Sequence, residues 1–501
     1  MSVKIYPVVK GADLCEDYEV YVNGECVELN TARVSAYPYN QGYNGQQRDK
    51  NQTELINFLA MQSDEEVELR IVPKIPSFAI DIRPRSSNVD AWTDANGVIT
   101  VRVKGNAQFT VEPYGKNHAL HVFIDPVSDY CVDFSSPDVL YFGAGEHDVG
   151  SIYLQSGQTL FIDEGAVVYA TVYGIHADNI KILGRGILDN SRAELSDIKK
   201  KKEDGSAVIA WERRHSMNFV CCKNVEIDGI ILRDPFVYAV NALSCEHIHI
   251  NNLKIIGCWR YNSDGVHFAN CIDGSLVNSF LRTFDDSVCV RGFANYDYYM
   301  FLNKEKKEDL SFVCRDILIR NCVVWNDWSK NIQIGTETYA EEIKNICFED
   351  CKLIHTTGRA IAIWLVDQAK IHDVIFRNVL VEYDSHLMRK TYQQDCEDTF
   401  ISKYEPDFGG HLIHFMISHH PTFSMIRTKE ELGSISGVRL ENVCLYGIQK
   451  PCFLFQGDNP NSLCENIELK ALYWNGEPIS KALFERQTEK NEYAKNIYLK
   501  D

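Results

Sequence analysis

The sequence predicts an all-β protein: a right-handed parallel β-helix, a solenoid, over residues 136–501, preceded by a small β-sandwich-like domain over residues 1–135. Three observations predict it. The front of the chain is rich in hairpin signals, a strand-plus-small-residue motif recurs behind it, and that repeat has no helical rhythm.

The front module opens with Tyr18-Glu-Val-Tyr-Val-Asn-Gly-Glu-Cys-Val-Glu-Leu29, which alternates around an Asn23-Gly24 turn. Val98–Val103, Phe109–Val111 and Leu120–Ile124 continue the pattern, and two packed sheets are the natural way to bury several short strands. The apolar patch Gln52–Ala60 is expected to interrupt them as a helix.

Beyond residue 136 an aliphatic–any–aliphatic–any–small motif recurs. It starts at Ile180, Val225, Ile248, Ile317, Ile346, Val374 and Val438, with uninterrupted neighbours 23 to 29 residues apart. That period is one coil of short parallel strands, too short for a propeller blade and lacking a leucine-rich consensus. Asn321 and Asn378 close their motifs and are placed to stack in a ladder that satisfies turn amides.

Composition narrows the function. A net charge of −19 argues against a nucleic-acid partner and disfavours long polyanionic substrates. The first twenty residues contain no apolar core of a secretory signal, and no run reaches the roughly 18 apolar residues of a membrane span. The seventeen cysteines are scattered through aliphatic segments without paired C-x-x-C knuckles, which suits buried, reduced thiols rather than disulfides or zinc. A cytoplasmic location and no membrane contact are expected, with neither metal nor cofactor.

Two acidic turns carry the chemistry. Tyr261-Asn-Ser-Asp-Gly-Val-His-Phe268 is followed by Phe284-Asp-Asp-Ser-Val-Cys-Val-Arg-Gly292, so Asp264 and Asp285 lie 21 residues apart, close to one coil. Rungs about 4.8 Å apart would gather Asp264, Asp285 and Asp286 into one cluster. Asp285 and Asp286 can share a face only at a bend or bulge. Clustered carboxyls are costly unless some hold protons or meet a partner, and a raised carboxyl beside an ionised one is what acid-assisted glycoside cleavage uses. A calcium site and a plain surface turn are the rival readings.

Asn262-Ser263-Asp264-Gly265 followed by Asp285-Asp286 resembles the signature of glycoside hydrolase family 28, the polygalacturonases, and of the related dextranase and isopullulanase family 49. Gly150–Gln158, Glu164–Val168 and Gly184–Asp189 read like the opening coils of those families, so the resemblance covers roughly residues 136 to 470. A front β-sandwich resembles the family 49 arrangement and many bacterial family 28 relatives. The resemblance implies that Asp285 is the general acid and that Asp264 and Asp286 hold and deprotonate the attacking water. It implies inversion, for which a carboxylate gap of about 6.5–9.5 Å is expected.

The sequence also departs from the polygalacturonase pattern. Where polygalacturonases carry Gly-His-Gly and then Arg-Ile-Lys, this chain has Trp328–Thr338, with Gly335 but no histidine, and Gly358–Asp367, with no lysine. Losing a lysine partner for a uronate carboxylate moves the expected substrate toward a neutral sugar, a dextran-like glucan or galactoside, ahead of a galacturonide.

Candidate binding residues surround the acids: Asn262, His267, Arg291, Glu337 and Trp364. His267 has the opposite strand parity to Asp264 and is as well suited to packing; Arg291 shares the parity of Asp285. Trp325, Trp328 and Trp364 include one expected stacking platform, and Thr336, Arg359 and Asp367 are weaker candidates. The segment Asp384–Met425, with His411, His414, His419 and His420, breaks the repeat. It is expected to close over substrate or to contact a second subunit in a homo-oligomer. Three functions compete: an inverting, exo-acting glycosidase on oligosaccharides, a β-helical polysaccharide lyase, and a non-catalytic carbohydrate-binding solenoid.

Overall fold

The structure, a computed structural model, describes residues 3–9, 14–36, 52–192, 215–260, 262–293, 311–383, 410–421 and 423–500, together with the strands Asn40–Gln41, Lys390–Gln393 and Phe400–Lys403. Most of the 384–409 stretch, including much of the repeat-breaking segment, therefore lies outside the described residues.

Two sheets form the front module. The six-stranded sheet includes Thr53–Gln62, Ala107–Lys116 and Leu120–Asp125; the five-stranded sheet includes Tyr18–Val22, Glu66–Pro73 and Ile99–Lys104. They bury Val20, Leu69 and Val101 against Leu59, Val111 and Val122.

The expected helix at Gln52–Ala60 is the strand Thr53–Gln62. It pairs with Asn30–Ser35 on one side and Leu120–Asp125 on the other. Both of its faces are apolar for different reasons: Leu59 and Met61 enter the sandwich core, while Ile56, Phe58 and Ala60 pack on the solenoid. A strand buried on both faces loses its period of two and reads like a helix segment.

From Val139 onward a single thirty-stranded sheet coils into a parallel β-helix. Three walls alternate. The first includes Ile180–Gly184, Lys223–Asp228 and Glu246–Asn251; the second Ile187–Asp189, Lys254–Ile256 and Phe280–Thr283; the third Met217–Val220, Val266–Ala269 and Val288–Gly292. The leading aliphatics of the repeat fall into one column: Ile180, Val225, Ile248, Ile317, Ile346, Val374 and Val438. Between Ile248 and Ile317 the column passes through Gly274, where Phe268 packs against the space a Cβ would take.

The expected ladder runs along the turns leaving the first wall. Asn278 donates to Asn251 and Asn321 to Asn278, each at 2.9 Å, and farther on Asn378 donates to Asp350 and Asn442 to Asn378, each at 2.9 Å. Asn278, Asn321, Asn378 and Asn442 all take left-handed backbone angles, φ 52 to 54°, which asparagine tolerates better than most residues.

The sandwich sits on the second wall. Phe58, Ala60 and Phe123 meet Ile187, Ile231, Ile256, Phe280 and Trp325. Buried charges join the two parts: Lys254 and Arg185 reach Asp125, and His355 lies 2.9 Å from Glu112. The described cysteines are free thiols, most of them partly or fully buried, and no described helix is long and apolar enough to cross a membrane.

Candidate active site

The acids stand at the corner where second-wall strands end and third-wall strands begin. Asp264 precedes Val266–Ala269, and Asp285 and Asp286 fill the bend between Phe280–Thr283 and Val288–Gly292. The two coils meet closely because position 265 is glycine: a Cβ there would fall onto the Ser287 carbonyl oxygen. Gly265 N–H donates to Asp286 O at 2.9 Å, and Asp285 N–H to Ser263 O at 3.3 Å. Asn262 opens this turn with φ 59°, a backbone role beside whatever its side chain binds.

The bend also answers how two consecutive aspartates share a face. The Asp285 carboxylate accepts the N–H of Asp286 at 2.9 Å and turns the chain. Asn326 Nδ2 donates to the Asp285 carbonyl at 2.6 Å, and Thr283 Oγ1 donates to it at 2.8 Å. The structure brings Asp264, Asp285 and Asp286 together with one oxygen of each within 4.8 Å of the others. They are 4, 8 and 7% exposed.

That separation is narrower than the gap of about 6.5–9.5 Å expected for inversion. Oxygens within 4.8 Å of each other can still both hold one water, since each hydrogen bond spans about 2.8 Å.

The three carboxyls have different surroundings. Burial, reinforced by Asp285 and Asp286, holds Asp264 well above the ordinary carboxylate range. Burial and then Asp286 raise Asp285 to about 6. Burial also acts to raise Asp286, but the Lys330 ammonium, the Ser329 hydroxyl and Arg291 outweigh it and leave Asp286 below its usual value. Lys330 Nζ lies 3.2 Å from both Asp286 oxygens, Ser329 Oγ donates at 2.6 Å, and Gln333 Nε2 donates as well.

His267 Nε2 is 3.1 Å from Asp264 Oδ2, and its ring packs 4.0 Å from the Tyr238 ring centroid. Burial and then Arg291 hold His267 well below its normal value, so it is a neutral neighbour. Arg291 and Glu337 reach the same region but pair with each other at 3.0 Å. Trp364 is the half-buried tryptophan at the site, one rung past Lys330, with Arg359 5.2 Å and Lys330 5.7 Å from its ring centroid. His420 and Phe423 stand edge-on to it at 5.8 and 6.4 Å.

Other candidates have packing or backbone partners. Trp325 is fully buried beneath the sandwich, and Trp328 stacks on Phe284 inside the coil. Asp367 accepts backbone N–H groups of Thr338, Met425 and Ile426, which ties the 423–426 stretch to the helix wall. Thr336 is buried on the strand that carries Glu337.

Sequence reasoning missed Ser329, Lys330 and Gln333. The coil between Asp286 and Lys330 is 44 residues long, well beyond the basic period, so the adjacency of the two was hidden. Two clusters have metal-ligand geometry, the three acids and Asp264 with His267 and Cys289, each with ligand-type atoms within 4.8 Å of one another. At Asp286 the Lys330 ammonium already supplies the compensating charge.

A model of the glycosyl hydrolases family 28 matches residues 149–305, the stretch holding all three acids. An exopolygalacturonase of Arabidopsis thaliana is 23% identical over 171 residues, 33% of this chain and 36% of its own, so the chain spans about a third of that relative's length. In fold the chain is similar to Dex49A from Penicillium minioluteum, with a TM-score of 0.62 and 14% identity over 98% of this chain and 96% of that one. A family 28 exopolygalacturonase of Yersinia enterocolitica overlaps 99% of this chain and 96% of its own at 14% identity, with a TM-score of 0.47. The sequence resemblance is thus concentrated in the acid-bearing coils, and the fold resemblance extends over the front module.

Proposed function

We propose that this protein is a glycoside hydrolase that removes sugar units from the ends of neutral oligosaccharides by single displacement with inversion. The observation that carries the reading is the gathering of three buried carboxyls, one oxygen of each within 4.8 Å of the others, with the Lys330 ammonium 3.2 Å from both oxygens of Asp286; the cation holds Asp286 down while burial pushes Asp285 up to about 6. In the proposed step Asp285 gives its proton to the glycosidic oxygen as the bond from that oxygen to the anomeric carbon breaks. A water between Asp286 and Asp264 attacks the anomeric carbon and yields its proton to Asp286, while neutral Asp264 orients it. The products are an alcohol and a hemiacetal of opposite anomeric configuration.

Inversion is favoured over a covalent intermediate because Ser329, Lys330 and Gln333 together engage both Asp286 oxygens, a poor arrangement for a nucleophile that must meet carbon directly. A neutral sugar is favoured because Lys330 and Arg291 already serve Asp286 and Glu337. The same occupation of Lys330 weighs against a lyase, which needs a free cationic base. End-wise action follows the exopolygalacturonase similarity, and free thiols suit a reducing cytoplasm. A galacturonide is the second reading, favoured by that similarity and by Arg359 beside Trp364.

Product analysis on dextran-type, galactoside and galacturonide oligosaccharides, with the first anomer followed by NMR, tests this. Asp285→Asn and Asp264→Asn are each expected to lower kcat by about 10²–10⁴-fold. A retained anomer rejects inversion, and undiminished activity in both variants rejects the site.

A further inference from the structure

We infer that Lys330, aided by Ser329 and Gln333, is a positioning residue that selects Asp286, rather than Asp264, as the carboxylate that receives the proton of the attacking water. Its part in hydrolysis rests on the glycosidase reading above; the clamp itself rests on geometry.

The asymmetry between the two aspartates is built from hydrogen bonds. Asp286 meets three side-chain donors: Lys330 astride both oxygens at 3.2 Å, Ser329 on Oδ1 at 2.6 Å, and Gln333 on Oδ2. These four contacts take up about the four lone-pair directions a carboxylate offers, so the attacking water reaches Asp286 by taking the place of one of the two 3.2 Å Lys330 contacts. Asp264 has the opposite setting. Its Oδ1 is buried and accepts no hydrogen bond among the described residues, and its Oδ2 faces the neutral His267. A proton therefore stays on Asp264 while Asp286 remains charged.

Lys330 is itself only 7% exposed, and a buried ammonium persists only where a charge compensates it. The backbone fixes that meeting: Ser287 N–H donates to Lys330 O at 2.9 Å, and the strands run in register with Val288 beside Ile332. The other strong cation nearby, Arg291, is 3.0 Å from Glu337 and supports Asp286 only at longer range. The selection therefore falls to Lys330.

The test uses the full-length protein labelled with ¹³Cγ-aspartate, with the Asp286 resonance assigned by its loss in Asp286→Asn. This readout needs no substrate. In Lys330→Met the Asp286 titration is expected to move up by about 1–3 pH units, and in Lys330→Arg to stay within a few tenths of wild type. Lys330→Gln, which keeps a donor but not the charge, replaces Lys330→Met if the latter does not fold. With a substrate from the oligosaccharide panel, the acidic limb of the pH–kcat profile should move up by the same interval, and the alkaline limb should move up with it, because the Lys330 charge also lowers Asp285. An Asp286 titration unchanged without the lysine, or an arginine variant displaced as far as the methionine one, overturns the inference. If no oligosaccharide of the panel is cleaved while the titration moves as stated, the clamp stands and the glycosidase reading falls.

Discussion

Asp285 and Asp286 are chain neighbours whose carboxyls are pushed in opposite directions, and most of what the site can do follows from that. The proposed mechanism requires Asp286 ionised and Asp285 protonated, so the expected pH–kcat profile is an acidic bell that declines above about 6, the value set by burial of Asp285. The same shift bears on stability. The folded-state value of Asp285 lies above its unfolded value, so the stability present at pH 4 is lost as pH rises toward 6. Asp285→Asn should therefore be more stable than wild type at pH 8, on the order of 2 kcal/mol, with the gain gone near pH 4. Urea unfolding at the two pH values measures this, and equal gains at both would contradict it. At Trp364, alanine is expected to raise KM several-fold while leaving the pH limbs in place, because stacking contributes about 0.5–1.5 kcal/mol and carries no titrating proton.

The turns and strands show why some of this was legible in the sequence and some was not. The solenoid could be read because most coils repeat the same demand, an aliphatic pair followed by a residue that accepts a left-handed turn, and Asn321, Asn378 and Asn442 meet it. The acids could be read because Asp264 and Asp285 lie about one coil apart. Lys330 could not, because its coil is lengthened and nothing local marks a lysine as buried. The strand Thr53–Gln62 was misread because two cores claim its two faces. At the level of a turn, Gly265→Ala must push the Asp264 coil away from Ser287. A displacement approaching 1 Å costs about 10²-fold in rate, so kcat should fall by that order while circular dichroism stays that of a β-helix. Asn321→Ala should leave kcat intact and lower stability by about 1–2 kcal/mol, through a lost ladder bond and a strained φ of 54°.

At the scale of the whole molecule, the front sandwich serves as the outer cover of the second wall. Phe280 and Trp325 are fully buried there, and Lys254 is buried against Asp125. Lys254→Met would leave the buried Asp125 carboxylate with only the more distant Arg185 and the Tyr6 hydroxyl, with an expected loss of about 3–5 kcal/mol seen in thermal unfolding. The cover also has an end. Its contacts along the solenoid run from Glu164 through His355 and Glu382 to Tyr446, against whose ring Arg85 packs at 5.9 Å; among the described residues, the strands Phe453–Gln456, Cys464–Trp474 and Ala494–Lys500 lie past the last of these. In a stack where each coil leans on its neighbours, such an arrangement unzips from the uncovered side. Amide exchange should then be fastest in the final coils and slowest between Asn218 and Asn326, so the chain can fray at its far end while the acids stay in register.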